Sequence, residues 1–325
     1  MKISNLTVNS GEKYFSEITV IDKDNRCATI PFFVINGKKS GPAVSITAGI
    51  HGTEYSGIEA ALRLYKNLDP SEIKGLIICC PICNFESFRS RSPFINPIDG
   101  KNLNSVFPGN PKGTLSEVIA HHLLYDFVAG TDYHIDMHSG DAIEDLYPYV
   151  FYHKSGQEET DKKSAWMAEL YGLDYIAITE SSGCGASDQG NFYATVSELG
   201  IPSIQPEAGG LGVLKEEAVQ LHYQGVTNIL KGLNMLDSGI MTKNNNQTVL
   251  KQFIRLKAKN NGILYPMIRP GQKATKGDLL AVITDYRKDK ELEKHIAEED
   301  CVILWTMSSP AVKNGDSIMA IGKTT

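Results

Sequence analysis

The chain has 325 residues, 42% of them apolar and 22% charged, and a formal net charge of −6, the balance of an ordinary globular protein long enough for one large domain and a small one. Its acidic balance gives no reason to expect nucleic acid or an anionic membrane as partner. No apolar run approaches the roughly 18 residues of a membrane span, and Met1-Lys2-Ile3-Ser4-Asn5 lacks the apolar core of a signal peptide, so a cytoplasmic location is expected.

In chain order, residues 1–42 read as β-rich. Thr29-Ile30-Pro31-Phe32-Phe33-Val34-Ile35 is followed by the turn Asn36-Gly37 and is expected to add an edge strand or two to the sheet that follows. Between about 43 and 236, strand-like runs at 43–48, 76–81, 132–137, 149–153, 174–178 and 202–206 alternate with helical patterns at 55–68, 115–128, 160–171, 187–199 and 214–236. Such alternation predicts an α/β domain with a mostly parallel sheet, flanked by helices on both faces. In such sheets active sites lie at the carboxyl ends of strands.

Near residue 237 the character changes. Asp237-Ser238-Gly239 and Lys243-Asn244-Asn245-Asn246-Gln247 read as a linker, dividing a 1–240 α/β domain from a smaller β-rich one over 248–325. Short strands in the second part are punctuated by Asn260-Asn261-Gly262, Arg269-Pro270-Gly271, Thr275-Lys276-Gly277-Asp278 and Lys313-Asn314-Gly315-Asp316. The run Asp285-Tyr286-Arg287-Lys288-Asp289-Lys290-Glu291 reads as a solvated loop.

Six cysteines are too few for a disulfide scaffold. The CxxC spacing of Cys80-Pro81-Ile82-Cys83 lacks the second pair of a zinc knuckle and ends a strand rather than opening a helix, so buried structural thiols are expected.

The chemistry concentrates elsewhere. Gly49-Ile50-His51-Gly52-Thr53-Glu54 follows one strand-like run, and His138 ends another. Two imidazoles and one carboxylate leave a zinc ion an open fourth position, the composition of a hydrolytic site. The ligand set expected is His51, Glu54 and His138, with one zinc per chain, although cobalt, nickel or manganese suit the same donors. His134 competes, because it shares a strand face with Asp136 and His138. Asp136 is well placed to orient a ligand histidine.

Four motifs in order carry a family resemblance: Gly49–Glu54, Asn102-Leu103-Asn104-Ser105-Val106-Phe107-Pro108-Gly109, His134-Ile135-Asp136-Met137-His138-Ser139-Gly140 and Pro206-Glu207-Ala208-Gly209-Gly210. The chain resembles the succinylglutamate desuccinylase/aspartoacylase family, within the zinc carboxypeptidase-like enzymes, over nearly its whole length. The resemblance implies a zinc-carboxypeptidase-like, parallel or mixed sheet and a C-terminal barrel-like β domain. It implies Glu207 as general base and Arg91, ahead of Arg89, as the group that steadies the oxyanion. It also implies Asn104 and the next position as substrate contacts.

That next position departs from the family pattern. The family reads Asn-Arg, and its arginine grips a substrate carboxylate; here the residue is Ser105, which carries no charge. Either another basic residue reaches in, or the substrate lacks a carboxylate there; the expectation is an N-acyl amine or a modified N-acyl amino acid. The implied function is a zinc-dependent amidohydrolase, a deacylase acting on a small N-acylated substrate. The alternatives are a carboxypeptidase-like peptidase and a catalytically idle zinc-containing ligand-binding protein. The C-terminal segment is read as a lid, a shape filter or a homo-oligomer contact.

Overall fold

A computed structural model describes residues 2–3, 6–180, 190–237 and 244–324. The apolar runs build one nine-stranded sheet. In spatial order its strands are Thr248–Leu250, Tyr175–Glu180, Tyr149–Lys154, Ser203–Glu207, Tyr133–Met137, Lys39–Ala48, Lys74–Cys80, Cys27–Asn36 and Glu12–Ile21. Most neighbours run parallel, but Tyr149–Lys154 is antiparallel to Ser203–Glu207, and the two N-terminal strands join the far edge antiparallel. The sheet is therefore mixed, and the 1–42 region supplies the expected edge.

Helices cover both faces. Tyr55–Asn67, Glu158–Tyr171 and Glu216–Gly232 pack on one side, over a core containing Ile46, Ile77, Ile135 and Ile204. On the other side lie Leu115–His122, its wider π-type continuation Leu123–Val128, and Phe192–Glu198, over Phe32, Ile78 and Phe127. The pattern read at 187–199 is helical from Phe192; residues 187–189 lie outside the described residues, as do 238–243 of the linker and Cys184. Periodicity did not reveal the short helix Phe85–Ser90, which Asn84 caps by accepting the Ser87 N–H at 3.3 Å.

The C-terminal segment forms two small sheets around a core of Leu280, Ile283, Ile303 and Met319. One orders Gln252–Lys257, Ser317–Lys323, Cys301–Met307 and Lys273–Ala274; the other orders Glu291–Ile296, Leu279–Thr284, Gly262–Pro266 and Ala311–Val312. Two strands tie this part to the large sheet. Thr248–Leu250 lies parallel beside Tyr175–Glu180, and Glu144–Leu146 pairs antiparallel with Cys301–Met307, setting Leu146 opposite Trp305. Among the described residues, no helix is long and apolar enough to cross a membrane.

Cys79, Cys80 and Cys83 are buried, and burial pushes all three thiols up, the condition of inert core cysteines. Asp285 to Glu291 forms an exposed hairpin turn, with Lys288 Nζ 4.7 Å over the Tyr265 ring.

Candidate metal centre and active-site cleft

Three adjacent parallel strands, Ser203–Glu207, Tyr133–Met137 and Lys39–Ala48, present their carboxyl ends along one edge of the sheet. His138 is the residue after the middle strand, Glu207 ends its neighbour, and the two sit side by side as bridge partners. The third strand leads through Gly49, at a φ of +66° that a side chain adopts only under strain, into the turn that carries His51. A Cβ on Gly52 would stand 2.2 Å from the Phe88 backbone nitrogen, so only glycine lets the turn press against that helix.

Glu54 occupies the N-cap of Tyr55–Asn67 but makes no capping hydrogen bond. Its carboxylate turns into the site instead. Oε1 lies 2.6 Å from His51 Nδ1, and Oε2 lies 2.9 Å from His138 Nδ1 and accepts the Ser139 N–H at 3.2 Å. The positive helix N-terminus favours a carboxylate there. Donor atoms of His51, Glu54 and His138 all lie within 4.8 Å of one another, and all three residues are buried. Asp136 stands 3.1 Å from His138 Nε2, the far side of the ring, and is itself held by the Thr47 hydroxyl at 2.6 Å. Asn102 Oδ1 stands 3.1 Å from His51 Nε2. Each imidazole thus has an orienting acceptor behind it and its other nitrogen turned to the shared focus.

The electrostatics suit a cation at that focus. Burial works against charge on His51, but the Glu54 carboxylate outweighs it and lifts the imidazole to about 9. His138 is likewise raised against burial by Asp136 and Glu54, while its charge and that of His51 hold Glu54 low despite burial. A divalent cation would take the place that protons fill in this arrangement, and two neutral imidazoles with one carboxylate are a donor set that suits zinc. His134 does not join the set. It is fully buried between Ser45 (3.0 Å) and Thr47 (3.4 Å), and burial drives it down to about 4.

Burial, reinforced by the charges of Glu54 and Glu144, pushes Glu207 up to about 8. Its Oε1 accepts the Gln205 amide N–H at 2.9 Å, and Gln205 in turn accepts from Asn104 at 3.5 Å. Asn104 Oδ1 receives the Phe192 N–H at 2.8 Å, and the residue lines the cleft. Ser105 lines the cleft beside it.

The cleft encloses about 960 Å³ and draws its walls from both parts of the chain: His51, Glu54, His138 and Glu207 on one side, Phe253, Arg255 and Trp305 on the other. Glu144 also lines it, and burial raises its carboxyl to about 7. Neither Arg91 nor Arg89 is among the lining residues. The helix Phe85–Ser90 ends with Arg91 at φ +52° and leaves its side chain in solvent; Arg89 stays exposed beside Glu86. Phe94 turns inward in that loop, 6.3 Å from the His51 ring, held by Asp141, which accepts its N–H at 2.5 Å and also binds the Thr53 hydroxyl. Sequence reasoning missed Gln205, Glu144 and Arg255. Only Gln205, two residues before Glu207 on one strand face, carried a local signal.

A mixed α/β sheet with a two-histidine, one-glutamate cluster at its carboxyl edge is an α/β scaffold with a candidate metal site. More narrowly, residues 40–233 match the model of the succinylglutamate desuccinylase/aspartoacylase catalytic domain, and the chain belongs to that family. Over 298 residues it is 26% identical to the N-alpha-acetyl-L-2,4-diaminobutyric acid deacetylase of Halomonas elongata, covering 90% of this chain and 85% of that one. Solved structures share the fold. A succinylglutamate desuccinylase/aspartoacylase from Rhodobacter sphaeroides superposes with a TM-score of 0.86 at 23% identity, and the product-bound ectoine utilization protein EutE (DoeB) from Ruegeria pomeroyi with 0.84 at 24%, each covering 98% of both chains.

Proposed function

We propose that this chain is a zinc-dependent amidohydrolase that removes the acyl group from the nitrogen of a small N-acylated amino acid. The observation that carries the reading is the convergence of His51, Glu54 and His138 on one buried focus, with Glu207 as bridge partner of His138. The deacetylase named for the Halomonas relative supports a linear amide as the bond cleaved.

His51, Glu54 and His138 would hold the ion, which supplies Lewis-acid polarisation and lowers the pKa of water. Glu207 takes the proton from the attacking water at its free carboxylate oxygen and returns it to the leaving nitrogen. A cation held nearby would draw the Glu207 carboxyl down from about 8 and favour the ionised form that accepts a proton. Gln205 fixes the other oxygen and keeps the carboxylate aimed at the cleft. Arg91 is exposed and outside the cleft lining, and a bound ion would itself supply oxyanion stabilisation.

The test is metal content combined with amine release from N-acetyl and N-succinyl amino acids, N-acyl diamines and short peptides. Chelator-sensitive release is expected. Glu207→Ala should keep the metal and lose about 10²- to 10⁴-fold in kcat. A variant that keeps full turnover would remove Glu207 from the mechanism, and retained ligand binding without turnover in the parent would favour an idle binding protein.

A further inference from the structure

Replacing the family arginine by Ser105 removes a positive charge from the cleft, yet the opposite wall brings one in. In the strand Gln252–Lys257, Phe253 rests against Phe151 and Tyr149 of the large sheet, with ring centroids 4.9 and 6.0 Å apart. Side chains two apart on a strand share a face. Arg255 therefore turns the same way, and its guanidinium lies 5.0 Å over the Phe253 ring. Tyr149 is the register partner of Glu207. A short succession of neighbours thus leads from Arg255 through Phe253 and Tyr149 to the proposed base, and all four line one cleft. The field agrees: burial and the Glu207 charge push the Tyr149 phenol up, and the Arg255 charge pulls against them.

The other cations of the cleft divide clearly. Lys154 is paired with Glu180 at 3.1 Å. Lys251, Arg255 and Lys257 also line the cleft, and among the described residues none of them joins an ion pair. Of these, only arginine offers a planar fork that matches a carboxylate with two parallel hydrogen bonds. Arg255 is exposed, as Arg91 is, but it lines the cleft, and the stack on Phe253 favours an orientation of that fork along the wall.

We propose that Arg255 is the carboxylate-recognising residue of this cleft, replacing from the C-terminal sheet the charge that Ser105 lacks. The preferred substrate is then an N-acyl amino acid with a free carboxylate rather than an N-acyl amine. This rests on the deacylase reading, and the experiment separates the two. Zinc-loaded parent, Arg255→Gln and Arg255→Lys are compared on N-acetyl amino acids with aliphatic, acidic and basic side chains and on their carboxamides. Binding is measured by calorimetry and turnover by amine release. The parent should favour the acids over the carboxamides. Arg255→Gln should weaken the acids about 10- to 100-fold, chiefly in KM, and the carboxamides far less; Arg255→Lys should recover part of the loss. Carboxylate-selective binding that Arg255→Gln abolishes, without turnover of any amide, would uphold Arg255 and overturn the deacylase reading. Turnover with unchanged acid-to-amide selectivity in Arg255→Gln would overturn Arg255 alone. Absence of both binding and turnover across the panel would overturn both.

Discussion

Gln205 fixes one oxygen of the carboxylate on which the proposed proton transfers depend. Its hydrogen bond favours the ionised form of Glu207, and losing it lets the carboxyl rise. Gln205→Leu should therefore lower kcat about 10-fold or more at little change in KM. The acid limb of the pH–rate profile should move to higher pH, because the base must be deprotonated to act. A variant that loses only thermal stability, with its pH profile in place, would make Gln205 a packing residue. At this scale the sequence was legible where spacing carries chemistry. His51 and Glu54, three apart after a strand, and His138 after another, converge as read. A loop is harder to read. Arg-Ser-Arg before a family-like segment suggested an oxyanion contact, and Arg91 closes a helix in a left-handed conformation with its side chain exposed, outside the cleft lining. Arg255 was invisible because nothing local links it to residues more than a hundred positions earlier.

Among the elements, the helix Glu216–Gly232 does more than cover the sheet. His222, fully buried in its middle, accepts from or donates to the Tyr171 hydroxyl at 2.8 Å and reaches the Ala208 carbonyl at 3.2 Å, one residue beyond Glu207. The carbonyl requires a proton on Nε2, so Nδ1 is the acceptor for Tyr171 when the ring is neutral. Burial holds His222 down at about 4, against an ordinary value near 6.5. The sign follows: the unfolded chain takes up this proton first as pH falls, so the stability is complete above about 6.5 and is lost progressively toward pH 4. The full effect is of order 3 kcal/mol. Urea midpoints at pH 7 and pH 4.5 should show the parent losing more than His222→Gln does over that interval; an equal loss would place the acid sensitivity elsewhere. Element existence was well marked in the sequence, because long apolar periods in 43–236 match strands and helices closely. Direction was not, since alternation is the same whichever way a strand runs, and Tyr149–Lys154 runs against its neighbour. Glu144–Leu146 is too short and polar to register as a strand.

For the whole molecule, an ion held by the buried His51, Glu54 and His138 set would be a structural partner as well as a reagent. Without a cation, Glu54 and two imidazoles share one buried focus at the cleft and rely on protons for neutralisation. Anything that binds the folded form alone stabilises it, by about 2.7 kcal/mol at a hundredfold excess over Kd. Chelation should accordingly lower Tm by several degrees, and zinc should restore it; an unchanged melting curve would mean that no ion is held there. The family relationship extends over the fold, and the class could be read from four ordered motifs. The way the C-terminal sheets wall the cleft could not, because it depends on strand pairs between distant segments.

The pairing of Glu144–Leu146 with Cys301–Met307 gives the chain a division of labour. The candidate metal cluster and Glu207 lie between residues 51 and 207, while a wall of the cleft comes from residues after 248. Substitutions in the later stretch would reshape that wall without touching the residues of the cluster. The shared strand keeps the two stretches in register, so this freedom extends to side chains but not to separating the parts.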